Sequence, residues 1–272
     1  NAHVMPNEVR HPGLAAPGPL TPFGVTNSLG SGVPLTQDPH AAQRAAIAHT
    51  FAGIAYRYDL MNHLMTAGLD IGWRRCACRL LGDVAGDGPI LDVGAGTADL
   101  SIMLARRRSG ARIAGLDLTA EMLALGQGKV ERAGLSERIA LLQGDALALP
   151  FPDSSFAAVV SAFAVRNLPD VPAALAEMRR VVAPGGAVLC LELSQPRVPG
   201  FRALFRPYFT RLVPVLGAIV AGQQAAYAYL PASVDRFLSP EALQQAMAAA
   251  GLEGVRVKRL ALGAACIHVA QR

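Results

Sequence analysis

The chain has 272 residues, enough for one α/β domain with additions and for a sizeable hydrophobic core. Its net charge is +5 at pH 7 and charged residues make up only 17% of the sequence, which excludes a densely basic or acidic protein. A mild positive charge fits an anionic partner, such as a nucleic acid or a membrane surface, without requiring one.

Residues 1–40 differ in composition from the rest of the chain. They contain seven of the 19 prolines and show no hydrophobic periodicity, so they bury too little apolar area to offset the entropy cost of ordering. They also lack the basic and then apolar pattern of a secretory signal. We predict a disordered extension of a cytoplasmic protein, whose four cysteines are buried free thiols rather than a zinc site.

Residues 41–85 are predicted to be helical, because apolar side chains recur at helical spacing from Phe51 to Met65. Two interpretations stay open. The region is a capping helix packed on the edge of a sheet, or it is a lid over a ligand. Both can hold, since a lid must also pack.

The stretch from Pro89 to Leu100 predicts a strand, a glycine loop and a helix. The apolar run 90–93 reads as a buried parallel strand, and Gly94-Ala95-Gly96 allows a tight turn and close approach of a ligand to the backbone. Thr97 or Asp99 lies near the start of the helix, whose N-terminus faces the ligand. Asp99 occupies the third glycine position of the dinucleotide fingerprint, which argues against a bound pyrophosphate.

Acidic residues follow this strand and the next two. Asp117 ends a predicted strand at 112–116, 21 residues after Gly96, where a carboxylate can accept hydrogen bonds from both ribose hydroxyls. Asp145 follows a predicted strand at 139–143 and can accept from an adenine amino group. With the carboxylate of Asp92, this pattern favours a cationic nucleoside such as S-adenosylmethionine (SAM). The alternative is that each aspartate only caps a helix.

Strands and helices alternate from Gly88 to Leu193, which indicates a parallel sheet with right-handed crossovers and a ligand at the carboxyl ends of the strands. Pro184-Gly185-Gly186 predicts a helix stop and a turn before the fifth strand. An antiparallel hairpin closes the chain. The predicted strands are 90–93, 112–116, 139–143, 157–161, 187–192, 254–261 and 265–270, and the predicted helices are 98–108, 120–133, 170–182 and 240–250.

Residues 195–235 are an insertion before the final strands. An uncharged run from Leu212 to Val234 is long enough to span a membrane, but its prolines, glycines and glutamines argue against a span. The insertion is either a structural lid or the wall of an apolar channel. Before that run lies an apolar helical stripe made by Phe201, Leu204, Phe205, Tyr208, Phe209 and Leu212.

Three stretches resemble class I SAM-dependent methyltransferases and, within them, the UbiE/MenG family of quinone-biosynthesis C-methyltransferases. Residues 58–73 are similar to its N-terminal motif, 180–194 to its second motif, and 162–167 to its S-F-G-L-R-N segment. The resemblance runs from about residue 51 to 272. It implies a Rossmann-like α/β fold with a mostly parallel seven-stranded sheet, an antiparallel C-terminal hairpin and a helical lid.

This resemblance also implies an activity and a site. Residues 41–272 are expected to form the methyltransferase domain, with 41–85 as an N-terminal helical lid and 195–235 as a lid insertion. Family members methylate a ring carbon of a prenylated quinol in menaquinone or ubiquinone biosynthesis. Implied cofactor residues are Asp92, Gly94, Gly96, Thr97, Asp117, Asp145, Ala146 and Ala162, and implied substrate residues are Tyr58, Asn62, His63, Phe205 and Tyr208.

Arg166 and Asn167 are the candidates for catalysis. Arg166 would favour the phenolate electrostatically and Asn167 would orient a hydroxyl or water, although a structural ion pair is the alternative for the arginine. His63 and His268 are weaker candidates for a base.

The chain departs from the family at four positions. Ala98 and Ala164 stand where many members have glycine, Ala162 replaces a common serine, and Asp70 is often histidine. These departures bear on the quinol more than on the cofactor.

Two rival functions stay open at this point. One is methylation of another small lipophile, and the other is SAM binding by an interaction protein without turnover. We expect no metal, and no nucleic-acid partner because no groove of clustered basic and aromatic residues is visible. Contact with a membrane surface through the arginines of the insertion, and a homodimer, are further expectations.

Overall fold

The computed structural model describes residues 39–82, 88–196, 198–212 and 231–272. Its centre is a seven-stranded sheet in the order β3-β2-β1-β4-β5-β7-β6. The strands are β1 (Ile90–Val93), β2 (Ile113–Asp117), β3 (Ile139–Gln143), β4 (Phe156–Ala162), β5 (Val182–Leu193), β6 (Glu253–Leu260) and β7 (Ala265–Gln271).

Strands β1 to β5 pair in parallel, whereas β7 runs antiparallel to both β5 and β6. The predicted fold class is confirmed, including the C-terminal hairpin. The chain order reverses between β1 and β4, so the loops after these two strands diverge and leave a crevice at the carboxyl edge of the sheet.

Helices cover both faces of this sheet. They are α1 (Ala41–Met65), α2 (Leu69–Gly82), α3 (Asp99–Arg107), α4 (Ala120–Arg132), α5 (Val171–Val181), α6 (Pro199–Pro207) and α7 (Pro240–Ala249), and residues 231–236 are also helical. Two apolar clusters result, because side chains of a strand alternate between faces. Ile90 belongs to the cluster with α1, α2 and α3, whereas Leu91 and Val93 belong to the cluster with α5 and α7.

The turn predicted at Pro184-Gly185-Gly186 lies inside β5 instead. The ladder opens into a bulge here, with Val182 opposite Phe156 and Ala187 opposite Ala158. The amide of Gly185 donates to the carbonyl of Arg272, and the amide of Arg272 donates to the carbonyl of Gly186. Hydrogen bonds to the end of β7 therefore keep this segment in the sheet, and the glycines serve the bulge.

The insertion contacts helix α1 just after the end of α6. A π-helical turn, Tyr208–Leu212, follows α6, and the hydroxyl of Tyr208 donates to the carbonyl of Met65 at 2.9 Å. This bond ties the insertion to the C-terminal end of α1. Residues 1–38 and 213–230, which hold most of the predicted extension and of the uncharged run, lie outside the described residues. No helix in the described ranges is long and apolar enough to cross a membrane.

Candidate active site

The glycine loop after β1 forms the floor of the crevice. The amides of Gly94 and Ala95 both donate to the carbonyl of Leu116, at 2.8 and 3.0 Å, which holds the loop against β2. Gly94 has a φ of 72°, and a Cβ there would lie 2.2 Å from the Cβ of Ala164. Only glycine fits this position, because the loop after β4 passes directly over it.

Ala98 lies where the loop enters α3. Its φ of 66° is in the left-handed region, and the residue is fully buried. The chain accepts this strain without a side-chain cap on α3. The loop therefore keeps the path that a glycine would allow, with one methyl group added to the core.

Asp117 is the acceptor at the end of β2. Its two carboxylate oxygens accept from the amides of Gly96 at 2.8 Å and Thr119 at 2.9 Å. Burial raises the pKa of Asp117, while these two amides oppose the shift. Asp117 lines the crevice at the carboxyl edge of the sheet, which we call the first cleft. Each of its oxygens has a second lone pair, so the carboxylate can still accept from ligand hydroxyls.

Asp145 lies at the end of the cleft near β3 and is already engaged. One oxygen accepts from the amide of Leu147 at 2.9 Å, and the other forms an ion pair with Arg44 of α1 at 2.8 Å. Arg44 also lines the cleft. Sequence reasoning missed this arginine, since no local motif marks a partner so distant along the chain.

Asp92 does not line the cleft, which differs from the expectation that its carboxylate faces the ligand. It shares a face of β1 with Ile90, so its side chain lies under α3 and accepts from the hydroxyl of Ser101 at 2.6 Å. Burial raises its pKa to about 6. Asp92 therefore holds the first turn of α3 against the sheet through its hydrogen bond with Ser101.

Thr97 also points away from the cleft, into a polar cluster that joins α1 to the glycine loop. Its hydroxyl donates to Asp59 of α1 at 2.6 Å. Lys129 of α4 donates to the same carboxylate at 2.9 Å and also contacts Asp99. This cluster fixes the middle of α1 over the loop, and it engages one of the chain's two lysines.

The loop after β4 forms the opposite wall. Phe163 has a φ of 61°, which is unusual for a bulky residue and occurs chiefly where function requires it. Its carbonyl accepts from the guanidinium of Arg166 at 2.5 Å and from the side-chain amide of Asn167 at 3.4 Å. Phe163 lines the cleft, and the guanidinium of Arg74 lies 5.0 Å from the centre of its ring in a cation–π contact. Strain at one residue therefore shapes this wall.

Arg166 is buried in an ion pair with Glu192 at the end of β5. The guanidinium is 2.9 Å from one carboxylate oxygen, and the Arg166 amide donates to the other at 3.2 Å. Burial raises the pKa of Glu192, and the arginine opposes this shift. Asn167 lines the first cleft, whereas Arg166 lines a second cleft beside it.

Helix α1 supplies the remaining wall. Tyr58 lines the cleft and packs edge-on against Phe51, with ring centres 5.9 Å apart. Burial raises the pKa of Tyr58, so its hydroxyl stays protonated at neutral pH, although Arg166 and a hydrogen bond with Asn62 oppose the shift. His63 instead lies 3.0 Å from both carboxylate oxygens of Asp70, outside the cleft.

Buried Asp70 belongs to a network that the sequence did not reveal. Burial alone would raise its pKa, but hydrogen bonds from His63 and Thr66 and the charge of Arg74 hold the pKa below its usual value. An Asp–His pair is therefore present, between α1 and α2 rather than in the cleft.

His268 is buried in β7, where burial lowers its pKa and its ring contacts the carbonyl of Pro240 at 2.8 Å.

The first cleft encloses about 720 Å³ of space, open solvent included. It does not include Asn62, His63, Thr97, Asp92 or Tyr208, and the side chain of Phe205 lies outside the described residues. The sequence-predicted residues that it brings together are Tyr58, Gly94, Gly96, Asp117, Asp145, Ala146, Ala162 and Asn167.

These residues fit SAM. Gly94 and Gly96 line the cleft with backbone that carries no side chain, and Asp117 presents acceptor oxygens in the same cleft. Two carboxylates near the cleft suit a cation, while Leu116 and Met122 give an apolar surface for an adenine ring. Among the described residues, no group of three His, Cys, Asp or Glu side chains is placed to hold a metal ion.

Two solved structures of SAM-dependent methyltransferases share this fold. A SAM-dependent methyltransferase from Thermotoga maritima matches with a TM-score of 0.56 and 16% identity over 82% of this chain and 98% of its own. One from Methanococcus maripaludis matches with a TM-score of 0.57 and 19% identity over 80% of this chain and 91% of its own. At these identities the likeness is one of fold alone.

Sequence relatives are closer. A demethylmenaquinone methyltransferase of Thermus thermophilus is 47% identical over 82% of this chain and 99% of its own length. A protein of the same name from Deinococcus radiodurans is 42% identical over 84% and 92%, respectively. A ubiquinone/menaquinone biosynthesis C-methyltransferase of Paracoccus denitrificans is 37% identical over 83% and 90%. The model of the ubiE/COQ5 methyltransferase family matches residues 39–272. The chain therefore belongs to the ubiE/COQ5 methyltransferase family, and it is a methyltransferase that uses SAM.

Proposed function

We propose that this enzyme transfers the methyl group of SAM to a ring carbon of a prenylated quinol, in menaquinone or ubiquinone biosynthesis. The observation that carries the proposal is a pair of adjoining clefts. The second cleft offers about 1670 Å³ of space, open solvent included, and shares Ile47, Leu168 and Pro169 with the first. A large acceptor can therefore lie beside the cofactor.

The second cleft suits a ring with an apolar tail. Arg166 and Asn167, adjacent in the chain, line the second and the first cleft respectively, so the two spaces meet at this loop. Beyond Arg166 the wall is largely apolar. It includes Ala46, Ile47, Val171, Phe237, Leu238, Ala242 and Ala246.

The chemistry needs few groups. Bound SAM supplies a methyl group activated by a positive sulfur. A quinol that loses a phenolic proton becomes nucleophilic at the ortho carbon. The new carbon–carbon bond forms there as the bond between the methyl carbon and sulfur breaks and S-adenosylhomocysteine leaves. The ring proton then passes to solvent, which restores the aromatic ring. Asn167 and Tyr58 line the cleft and can orient the quinol hydroxyl or a water molecule.

Arg166 acts through position and charge in this proposal. Its guanidinium is neutralised in part by Glu192, and its Nε atom is buried without a hydrogen-bond partner in the described chain. A buried donor of this kind can serve an oxygen of the substrate. Phenolate formation would then be favoured where the clefts meet.

The relatives' names favour a naphthoquinol head, since two of those described above are demethylmenaquinone methyltransferases. A benzoquinol is the second candidate, supported by the name of the Paracoccus relative. The insertion 195–235 remains our proposed tail-binding lid together with α1, supported by the bond from Tyr208 to Met65. Contact with a membrane surface and a homodimer are part of the same proposal.

Rates of S-adenosylhomocysteine formation test the proposal with a panel of acceptors: a prenylated naphthoquinol, a prenylated benzoquinol and an unprenylated phenol. We expect turnover with a prenylated quinol and a much lower kcat/KM without the tail. Preference for an unprenylated acceptor would favour a different lipophilic substrate. SAM binding without turnover of any acceptor would favour an interaction protein.

Phe205→Asp examines the tail lid separately. A charge in a channel that holds an isoprenoid should raise KM for the prenylated quinol much more than for a tailless analogue, since each buried CH₂ contributes about 0.8 kcal/mol. SAM affinity should change little. Equal losses with both acceptors, together with a lower Tm, would mean that the lid is only structural.

A further inference from the structure

The outer face of α1 and α2 is unusually apolar for a surface in water. Tyr56, Leu60 and Leu64 follow one another at intervals of four residues along α1, so they lie in one stripe. Their exposed fractions are 93%, 52% and 43%, and Leu69 at the start of α2 adds 50%. Single exposed apolar residues are ordinary, but a continuous stripe marks a contact surface.

Charges around this stripe have one sign. Arg57, Arg75 and Arg79 are exposed on α1 and α2 and form no ion pair within the described chain. The two helices contain only two acidic residues. Asp59 is paired with Lys129, and Asp70 is buried. The exposed face of both helices therefore presents apolar and basic side chains together.

The insertion continues this pattern. From Leu193 to Val234 the sequence contains four arginines and no acidic residue. Arg206 and Arg211 are exposed, and the hydrogen bond from Tyr208 to Met65 places this segment against the end of α1 that carries Leu64. Basic residues thus extend beyond the stripe at this end.

We propose that the outer face of α1 and α2, with its stripe Tyr56–Leu60–Leu64–Leu69, docks on an anionic lipid bilayer. Apolar side chains enter the boundary of the acyl chains, and the arginines meet lipid phosphates. A second copy of the chain fits less well, because a twofold contact through this face would bring like charges together. The same helix lines the cleft with Phe51 and Tyr58, so docking brings the site close to the lipid.

The inference draws on the proposed function, because a prenylated quinol is held in a bilayer, but its test needs neither substrate nor cofactor. The full chain is floated with vesicles of phosphatidylcholine alone and of phosphatidylcholine with roughly a third phosphatidylglycerol. We expect binding to the anionic vesicles that decreases with salt. Absence of binding to either vesicle would overturn the proposal.

Variants locate the surface. Leu60→Ser with Leu64→Ser should lower partition into anionic vesicles about tenfold or more. Arg57→Gln should lower it roughly fivefold at low salt. The matched control is Leu262→Ser, which removes a leucine that is 59% exposed in the turn between β6 and β7 and should have no effect. All four positions are exposed, so melting curves should stay unchanged.

Two further outcomes would contradict the proposal. Equal loss of binding in the double variant and in the Leu262→Ser control would show that no particular face docks. A change from dimer to monomer in the double variant, with vesicle binding unchanged, would assign the stripe to a second copy. Turnover of a tailless quinol should be unaffected by the double variant. Vesicle binding without turnover of any quinol would sink the proposed function and leave the docking surface intact.

Discussion

The two walls of the cofactor cleft are built in different ways. The strand wall consists of Gly94, Asp117 and Asp145 at the ends of β1, β2 and β3, and backbone hydrogen bonds of the sheet hold it. The helix wall consists of residues on α1, including Arg44 and Tyr58, and side-chain contacts between distant segments hold it. We expect changes in the strand wall to abolish binding and changes in the helix wall to adjust it.

The largest effect is expected from Gly94→Ala. The left-handed backbone costs about 1–2 kcal/mol for a residue with a Cβ, and the contact at 2.2 Å with Ala164 adds about 1–3 kcal/mol more. SAM affinity by calorimetry and the Tm should both fall. Gly185→Ala is the matched control, since its φ of 73° is the same but nothing lies within 4 Å of the added Cβ. Equal effects of the two changes would refute the contact with Ala164.

Asp117→Ala should weaken SAM binding by roughly 2–4 kcal/mol, because ligand hydroxyls and two loop amides lose their acceptor in a partly dry site. Titration of SAM by calorimetry measures this loss. Ala is preferred to Asn here because an amide oxygen would still accept from one donor. Unchanged affinity would remove Asp117 from the cofactor site.

Asp92 lies in β1 beneath the strand wall, and its titration makes the stability of the folded chain depend on pH. Burial raises its pKa from an ordinary 3.8 to about 6, so the folded state binds more protons than the unfolded state between these values. Its contribution to stability is therefore complete below about pH 4 and is lost as the pH rises through about 6, on the order of 2–3 kcal/mol.

Asp92→Asn should remove this loss. Denaturant unfolding of the two proteins from pH 4 to pH 7 measures the difference, and the variant should show the flatter profile. SAM affinity should change little, because the side chain lies under α3. An identical pH profile in both proteins would mean that Asp92 keeps an ordinary pKa.

Arg44→Gln should have the smallest effect. It breaks the ion pair with Asp145 that holds α1 over the cleft, but the two side chains are 21% and 25% exposed, so we expect a loss of less than about 1 kcal/mol in SAM affinity. Arg259→Gln breaks an exposed pair with Glu241 at a site far from the cleft and should not alter SAM binding. A loss as large as that of Asp117→Ala would show that the helix wall is as essential as the strand wall.

The sequence predicted features of the strand wall better than the contacts that hold the helix wall. Apart from the start of β5, which lies five residues earlier than predicted, the strands were placed within two residues, since apolar runs and the glycines and aspartates that end them are local signals. The contact of Lys129 with Asp59, 70 residues apart, has no local signal. Asp92 was expected in the cleft because it precedes the glycines, but strand alternation turns its side chain under α3.

Two features of the wall after β4 were equally hidden. The positive φ of Phe163 arises because the loop must turn over Gly94, and phenylalanine gives no sign of such a backbone. The ion pair between Arg166 and Glu192 joins two motifs that were each recognised but not connected. Pairings across the carboxyl edge of a sheet depend on tertiary structure, so spacing in one sequence does not predict them.

The fate of the methyl group tests the central claim most directly. The enzyme is incubated with SAM labelled with ¹³C in its methyl group and with a prenylated quinol that lacks a methyl at one ring position, and the product is examined by ¹³C NMR. The adjoining clefts predict label in a methyl bound to a ring carbon, with one S-adenosylhomocysteine formed for each methyl transferred. Label in a methoxy group, or no labelled product while SAM still binds, would contradict the proposed function.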